Sequence, residues 1–402
     1  MKKNSLKKMT TATTTKDYYC SQKFWWLSID IEKLSTQSCC AASPHKIDLA
    51  SMTTNPGQLF NSPALLEERK QMLANIPVKS CDVCWRAESQ NISSRRTQLG
   101  GEDKTHLNIN STPEILNIMV GSDCNLTCVY CCKQYSTAWF ADINTNGTYL
   151  IDSVDDRFTI NNKDRVLNQL SQKDLNKSIN GIKIIDEIQL ICSQSNIKKI
   201  DISGGEPFLY LYLRDLIKIL PSDVQVVIFT GLGVDEKRFS KEINFLSEFK
   251  NVTVSISAES IGNTYEFIRA GNSWDRFKKN LNTLQQHHIN YKFSSVLCNL
   301  SVLNFEKFVQ YIGDTAVSYV PCYDPDYLAI NVMDDASKDV IYNNINNLPI
   351  NAQNIIKSII ELPPTENQRN NLKIYLTEFA RRRNLTLDIF PKTFINWINY
   401  VV

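Results

Sequence analysis

No stretch of the 402 residues approaches the ~18 consecutive apolar positions of a membrane-spanning helix, so the sequence predicts no such crossing. Charge of one sign is also lacking: 44 basic side chains meet 42 acidic ones, a net of +2. That balance argues against partners held by bulk charge, such as nucleic acid at large or an anionic membrane surface. The Arg381-Arg382-Arg383 run is the one local cluster, and it reads as a solvated helix face. There is no internal repeat, Walker loop, zinc-protease helix or nucleophile elbow. The four histidines, His45, His106, His287 and His288, lack ligand-like spacing. Residues 1–16 are basic and Ser/Thr-rich without an apolar core, which suits a disordered tail better than a secretory signal. Cysteine, by contrast, is plentiful. Twelve thiols without such a signal point to a reducing cytoplasm, where thiols serve metals rather than disulfides.

Three of them, Cys124, Cys128 and Cys131, form a Cys-x3-Cys-x2-Cys array directly after the apolar run Ile115–Val120. A buried strand would thus deliver three thiols into one loop. Three thiolates can hold three corners of a 4Fe–4S cube and leave one iron open, whereas a filled electron-transfer cluster or a structural zinc site takes four ligands. Cys132 keeps a four-thiolate alternative open at this stage.

Downstream, a strand-like Ile197–Ser203 ends in Gly204-Gly205-Glu206-Pro207, ahead of a helix-like Leu209–Leu220. Glycines there let backbone approach a ligand, and backbone carbonyls can accept hydrogen bonds from an ammonium group. Further strand-like segments follow at 224–229, 252–258, 291–297 and 316–320. Between them lie helical spacings at 237–249, 265–286 and 305–312. Alternating strands and helices predict parallel βα units with ligand sites at the carboxyl ends of the strands.

Read together, the cysteine array with Tyr130 before its last cysteine, and the Gly-Gly-Glu-Pro segment after the next strand, resemble the radical S-adenosylmethionine (SAM) superfamily. The resemblance implies an α/β fold with a partial (β/α)6 TIM-like barrel. It implies a 4Fe–4S cluster on Cys124, Cys128 and Cys131 whose open iron is chelated by SAM. Reductive cleavage of SAM would yield a 5′-deoxyadenosyl radical that abstracts hydrogen from substrate, with electrons from a flavodoxin- or ferredoxin-type donor. SAM contacts implied by position are Tyr130, Gly204, Gly205, Glu206, Pro207, Ser257 and Glu259 for the ribose, Arg269 for the carboxylate, and Asn299.

A second set lies upstream: Cys20, the pair Cys39-Cys40, and Cys81-x2-Cys84 followed by Trp85 and Glu88, with a helical Leu65–Leu73 before the last pair. Four such positions can hold a filled 4Fe–4S cluster or a zinc ion. The set resembles the twitch form of the SPASM extension, which holds an auxiliary 4Fe–4S cluster. The module usually follows the barrel, yet here it precedes it, and Phe24 stands where a proline is expected. Cys39 is favoured over Cys40 as the third ligand. Cys192, Cys298 and Cys322 read as ordinary buried cysteines.

The expected organisation is a tail at 1–16, a small α+β cluster module at 17–105, the radical SAM core at 106–332 and a helical extension at 333–402 that caps the barrel. Lys133–Lys163 is a candidate lid or substrate contact, or a simple surface excursion, and Pro321–Tyr327 a candidate pocket wall. The substrate stays open between a peptide and a small molecule. The competing class is a non-catalytic scaffold with structural zinc in both cysteine sets.

Overall fold

A computed structural model describes residues 17–89, 94–105, 107–152 and 179–399. Six parallel strands form its centre: β4 (Ile115–Met119), β5 (Lys199–Ser203), β6 (Gln225–Thr230), β7 (Val252–Ser257), β8 (Asn290–Leu297) and β9 (Val317–Pro321). They pair in sequence order, with Ile115 opposite Lys199 and Val226 opposite Val252. Their β-branched residues alternate between a face buried under helices and an interior face, the pattern of a sheet covered by βα crossovers. Leu116, Ile118, Ile200, Ile202, Val254 and Ile256 are fully buried in one continuous core.

The helices confirm the periodic readings and refine their ends. Glu236–Leu246 starts at Asp235, whose carboxylate accepts from two backbone amides of the first turn. Phe305–Ile312 has the expected bounds. The expected single helix over 265–286 is instead two, Gly262–Ile268 and Trp274–Gln286. The break falls at Gly271, whose φ of +100° favours glycine and whose added Cβ would lie 2.7 Å from the Asn125 carbonyl oxygen. Ser273 then caps the second helix. The interruption places the Arg269–Gly271 backbone against the cysteine loop, which a continuous helix could not do.

The upstream segment is not a separate sheet. β1 (Trp26–Asp30) pairs in parallel with β4, and β2 (Ser35–Gln37) and β3 (His45–Lys46) continue outward as antiparallel neighbours. The order β3-β2-β1-β4-β5-β6-β7-β8-β9 therefore runs unbroken across residue 106. A second small core joins Tyr19, Cys20, Phe24, Met72, Val78, Cys81, Cys84 and Trp85 beside it.

The C-terminal helices Asp335–Asn344, Ile350–Ile359, Glu366–Arg383 and Lys392–Asn399 share the continuous core with the strands. The Arg381–Arg383 run departs from its expected solvated face. Arg381 is exposed, but the side chains of Arg382 and Arg383 are only 2% and 10% exposed and pair with Asp142. Arg383 also stacks over Trp139 and Phe379. Buried aromatic faces reward a planar guanidinium, which the charge pattern alone does not reveal.

Candidate active site at the carboxyl ends of the strands

The three cysteines leave β4 in a loop fixed from several sides. Glu32, just past β1, accepts from the Ser122 amide at 2.5 Å and from the Ser122 hydroxyl. Thr137 Oγ1 accepts from the Cys124 amide and donates to the Cys124 carbonyl. Ser136 caps the helix Thr137–Asn146 and donates to the Leu126 carbonyl, while the fully buried Trp139 donates through its indole to the Cys128 carbonyl. The Thr127 and Val129 amides donate to Ala270 and Ile268, so the broken-helix loop and the cysteine loop are laced backbone to backbone. The Tyr375 hydroxyl donates to the Val129 carbonyl, and Arg383 donates to Thr127 Oγ1.

Residues 133–152, the described part of the stretch read as a lid, substrate contact or surface excursion, brace the loop with Trp139, Phe140 and Ile143 buried, while Tyr135 lines the cavity beside it. The rest of that stretch, 153–163, lies outside the described residues. Because Tyr375 and Arg383 hold the loop from a helix some 250 residues away, Tyr375→Phe leaves the buried Val129 carbonyl without that donor, at about 1–3 kcal/mol. The expected result is lower iron content after reconstitution with an unchanged fold by circular dichroism; full iron content would refute the bracing role.

Gly204 and Gly205 earn their places by contact. The Gly205 and Glu206 amides donate to the Gly121 and Asp123 carbonyls, so this turn lies flat on the start of the cysteine loop. A Cβ on Gly204 would meet the Gly121 oxygen at 2.6 Å, and one on Gly205 the Asp123 oxygen at 2.4 Å. Gly204 also has a φ of +136°. Gly205→Ala must therefore move the cysteine loop, and its expected outcome is loss of the barrel cluster, read as missing iron and sulfide. A variant with full cluster content would contradict this packing. Glu206 is turned inward: it accepts from Thr230 Oγ1, the Gly231 amide and the Phe208 amide. Burial pushes its carboxyl up to about 7 against those donors. It ties the end of β5 to the end of β6, and Pro207 opens the buried turn that follows.

Above these turns lies a cavity of about 360 Å³ lined by Cys124, Cys128, Tyr130, Cys131, Cys132, Gly204, Gly205, Glu206, Ser257, Arg269 and Asp324, among others. Cys124, Cys128 and Cys131 thus reach one space, and burial raises the pKa of each thiol. A metal would have to displace those protons. Among the described residues no three His, Cys, Asp or Glu side chains close on a single ion position. A loop of three thiols beside a glycine cradle fits the cube.

Beside the thiols, Arg269 Nη2 and Nε meet the two Glu259 oxygens at 2.7 and 3.1 Å, a bidentate pair buried on both sides. The Tyr130 hydroxyl donates to the same carboxylate at 3.1 Å, and the guanidinium lies over the Tyr130 ring. Burial works against the charge on Arg269, but Glu259, Tyr130 and Cys128 outweigh it and hold its pKa well above the usual range. Arg269 Nη1 points toward Cys128 Sγ at 3.8 Å. Glu259, read as a ribose contact, is committed here to Arg269 and Tyr130, while Ser257 lines the cavity. Asn299 does not reach it: fully buried, it donates to the Tyr327 and Val332 carbonyls and braces the segment after β9. From that segment Asp324 does line the cavity, as the pocket-wall reading expects.

A second cavity of about 320 Å³ shares Tyr135 and Phe229 with the first and runs to the upstream module. Its walls include Gln22, Ser28, Cys39, Cys40, Arg95, Asn117, Asp201 and Ser203. Asn117 donates to Ser28 and accepts from Ser203, and Asp201 pairs with Lys199. Gln22 is 2% exposed, and its Nε2 has no hydrogen-bond partner among the described residues. Sequence reasoning missed Gln22 because nothing around it repeats; only the folded sheet brings it into one cavity with Asn117.

In the upstream core, the Cys20 thiol is pushed up to about 12 by burial, with Cys81 and Cys84 adding to the shift. Cys39 is raised by its contact with Cys40 and feels Cys20 as well. Cys20, Cys81 and Cys84 therefore share one core with Cys39 close by, and none of the four is in a disulfide. By chemistry alone, four thiols are a donor set for an iron–sulfur cluster or for a zinc ion, and among the described residues no three of them close on a single ion position.

Residues 118–313 match the family model of the radical SAM superfamily. No curated protein matches the chain. Among solved structures, native anSMEcpe with bound AdoMet is similar at 15% identity over 57% of this chain and 58% of that one, with a TM-score of 0.37. Streptococcus suis SuiB bound to precursor peptide SuiA is similar at 13% identity over 82% and 70%, with a TM-score of 0.33. The chain thus spans less than two thirds of anSMEcpe, and likenesses at these scores establish nothing about its substrate.

Proposed function

We propose, from the premise that the chain carries a radical SAM domain over residues 118–313, that it is a radical SAM enzyme with an auxiliary cluster in a twitch/SPASM-like module at 17–105. The observation that carries this reading is the single cavity lined by Cys124, Cys128, Cys131, the Gly204-Gly205 turn, Ser257 and Arg269. Cys124, Cys128 and Cys131 would hold a 4Fe–4S cluster, and Cys20, Cys39, Cys81 and Cys84 the auxiliary one. When bound beside that cluster, SAM would supply the radical chemistry of the reaction.

The protein's own part is binding, orientation and exclusion of water. Arg269, held by Glu259 and Tyr130, presents its guanidinium beside Cys128, where a carboxylate is the matching partner. The turn at Gly204 brings backbone to the cavity edge for an amino group, and Ser257 offers a hydroxyl to a sugar. The second cavity is suited to the substrate, because Tyr135 and Phe229 are common walls and Cys39 lies at its far side. Its carboxamides, hydroxyls, Arg95 and Asp201 suit a polar peptide or small molecule. A flavodoxin- or ferredoxin-type donor would supply electrons, in a cytoplasmic setting, and no helix among the described residues is long and apolar enough to cross a membrane.

The test is anaerobic reconstitution followed by reduction with dithionite in the presence of SAM. Accumulation of 5′-deoxyadenosine supports the reading. A fully iron-loaded protein that leaves SAM intact would overturn it in favour of a metal-binding scaffold.

A further inference from the structure

Lysine is rarely found fully buried, and an unpaired ammonium in a protein core is costly. Lys23 is 1% exposed, three residues after Cys20 and beneath the upstream cysteine core. Its Nζ lies 2.6 Å from Glu68 Oε2, 2.6 Å from Ser38 Oγ and 3.2 Å from Ser80 Oγ. Ser80 precedes Cys81, and Ser38 precedes Cys39. Glu68, also buried, accepts in addition from Ser38, Ser80 and His45 Nε2. The pair is thus fully satisfied and occupies the ground between two cysteine-bearing segments. Apolar residues could fill the same space at no electrostatic cost.

We propose that Lys23 and Glu68 set the reduction potential of the upstream cluster, with Lys23 the dominant, stabilising charge. This rests on the proposed cluster at Cys20, Cys39, Cys81 and Cys84. Net charge and hydrogen bonding near the sulfurs are main determinants of such potentials. A fixed positive charge favours the reduced, more negative cluster and makes it the better electron acceptor. Glu68 opposes that field while anchoring the ammonium toward Ser38 and Ser80. Among the described residues His45, from β3, is a further titratable group in contact with Glu68.

Opposite shifts from the two partners are the signature that a merely structural role would not produce. The full-length protein is reconstituted anaerobically, its iron is counted, and the upstream cluster is titrated potentiometrically by electron paramagnetic resonance with SAM present to separate the barrel cluster's signal. Lys23→Met is expected to lower the upstream midpoint and Glu68→Gln to raise it, with the barrel midpoint unmoved. The double variant K23M/E68Q leaves no buried unpaired charge, guards against misfolding of the singles, and is expected between them. About eight irons with midpoints that stay together, or move the same way, overturn the inference alone. About four irons in the wild-type protein overturn the auxiliary-cluster reading and the inference with it.

Discussion

Glu259→Gln is expected to destabilise the protein by about 3–5 kcal/mol, because it takes from the buried Arg269 guanidinium the carboxylate that pairs with it. Glu259 is 0% exposed and receives both Arg269 nitrogens and the Tyr130 hydroxyl, so one substitution unbalances three groups. The same change frees Arg269 from its fork, and SAM affinity should fall with stability. Chemical denaturation and equilibrium SAM binding read the two effects. The double variant E259Q/R269M restores much of the stability but not the binding, since no charge is left unpaired and no guanidinium remains. Wild-type stability in the single variant would mean that the pair is not isolated from solvent as described.

Cys128→Ser is expected to remove the barrel cluster, taking about four of roughly eight irons and abolishing SAM cleavage. Cys128 is buried, faces Arg269 and has its carbonyl fixed by Trp139. Cys132 provides the contrast. It lines the same cavity but follows Cys131 directly, so both can hardly reach separate corners of one cube. Cys132→Ser should keep both iron and cleavage, measured in the same assays. Loss of iron in Cys132→Ser would point to a four-thiolate site and close the open position on which SAM binding depends.

What the sequence made legible follows from local chemistry. Strands β4 to β9 stand where β-branched runs end in turn residues. The cysteine loop and the Gly204-Gly205 turn were readable because each is a compact motif whose neighbours lie within a few residues. The unread parts are long-range. Trp26–Asp30 is too short to declare a parallel partner, and its pairing with β4 spans nearly ninety residues. The split of the 265–286 helix depends on the Asn125 carbonyl, which only the folded cysteine loop brings to Gly271. Arg382 and Arg383 looked solvated because their acceptor Asp142 and their stacking rings come from another part of the chain. Glu259 and Arg269 were each placed at the site by position, but their pairing is a property of the broken helix that holds them ten residues apart yet side by side.

The most direct test of the central claim, a three-thiol cluster with an iron open to SAM, is electron paramagnetic resonance of the reduced barrel cluster in a Cys20→Ala/Cys81→Ala/Cys84→Ala variant, before and after SAM is added. The account predicts about four irons per chain and a signal that changes on SAM addition, because a new ligand enters the cluster's own coordination. A cluster of the same iron content whose signal is identical with and without saturating SAM would contradict it.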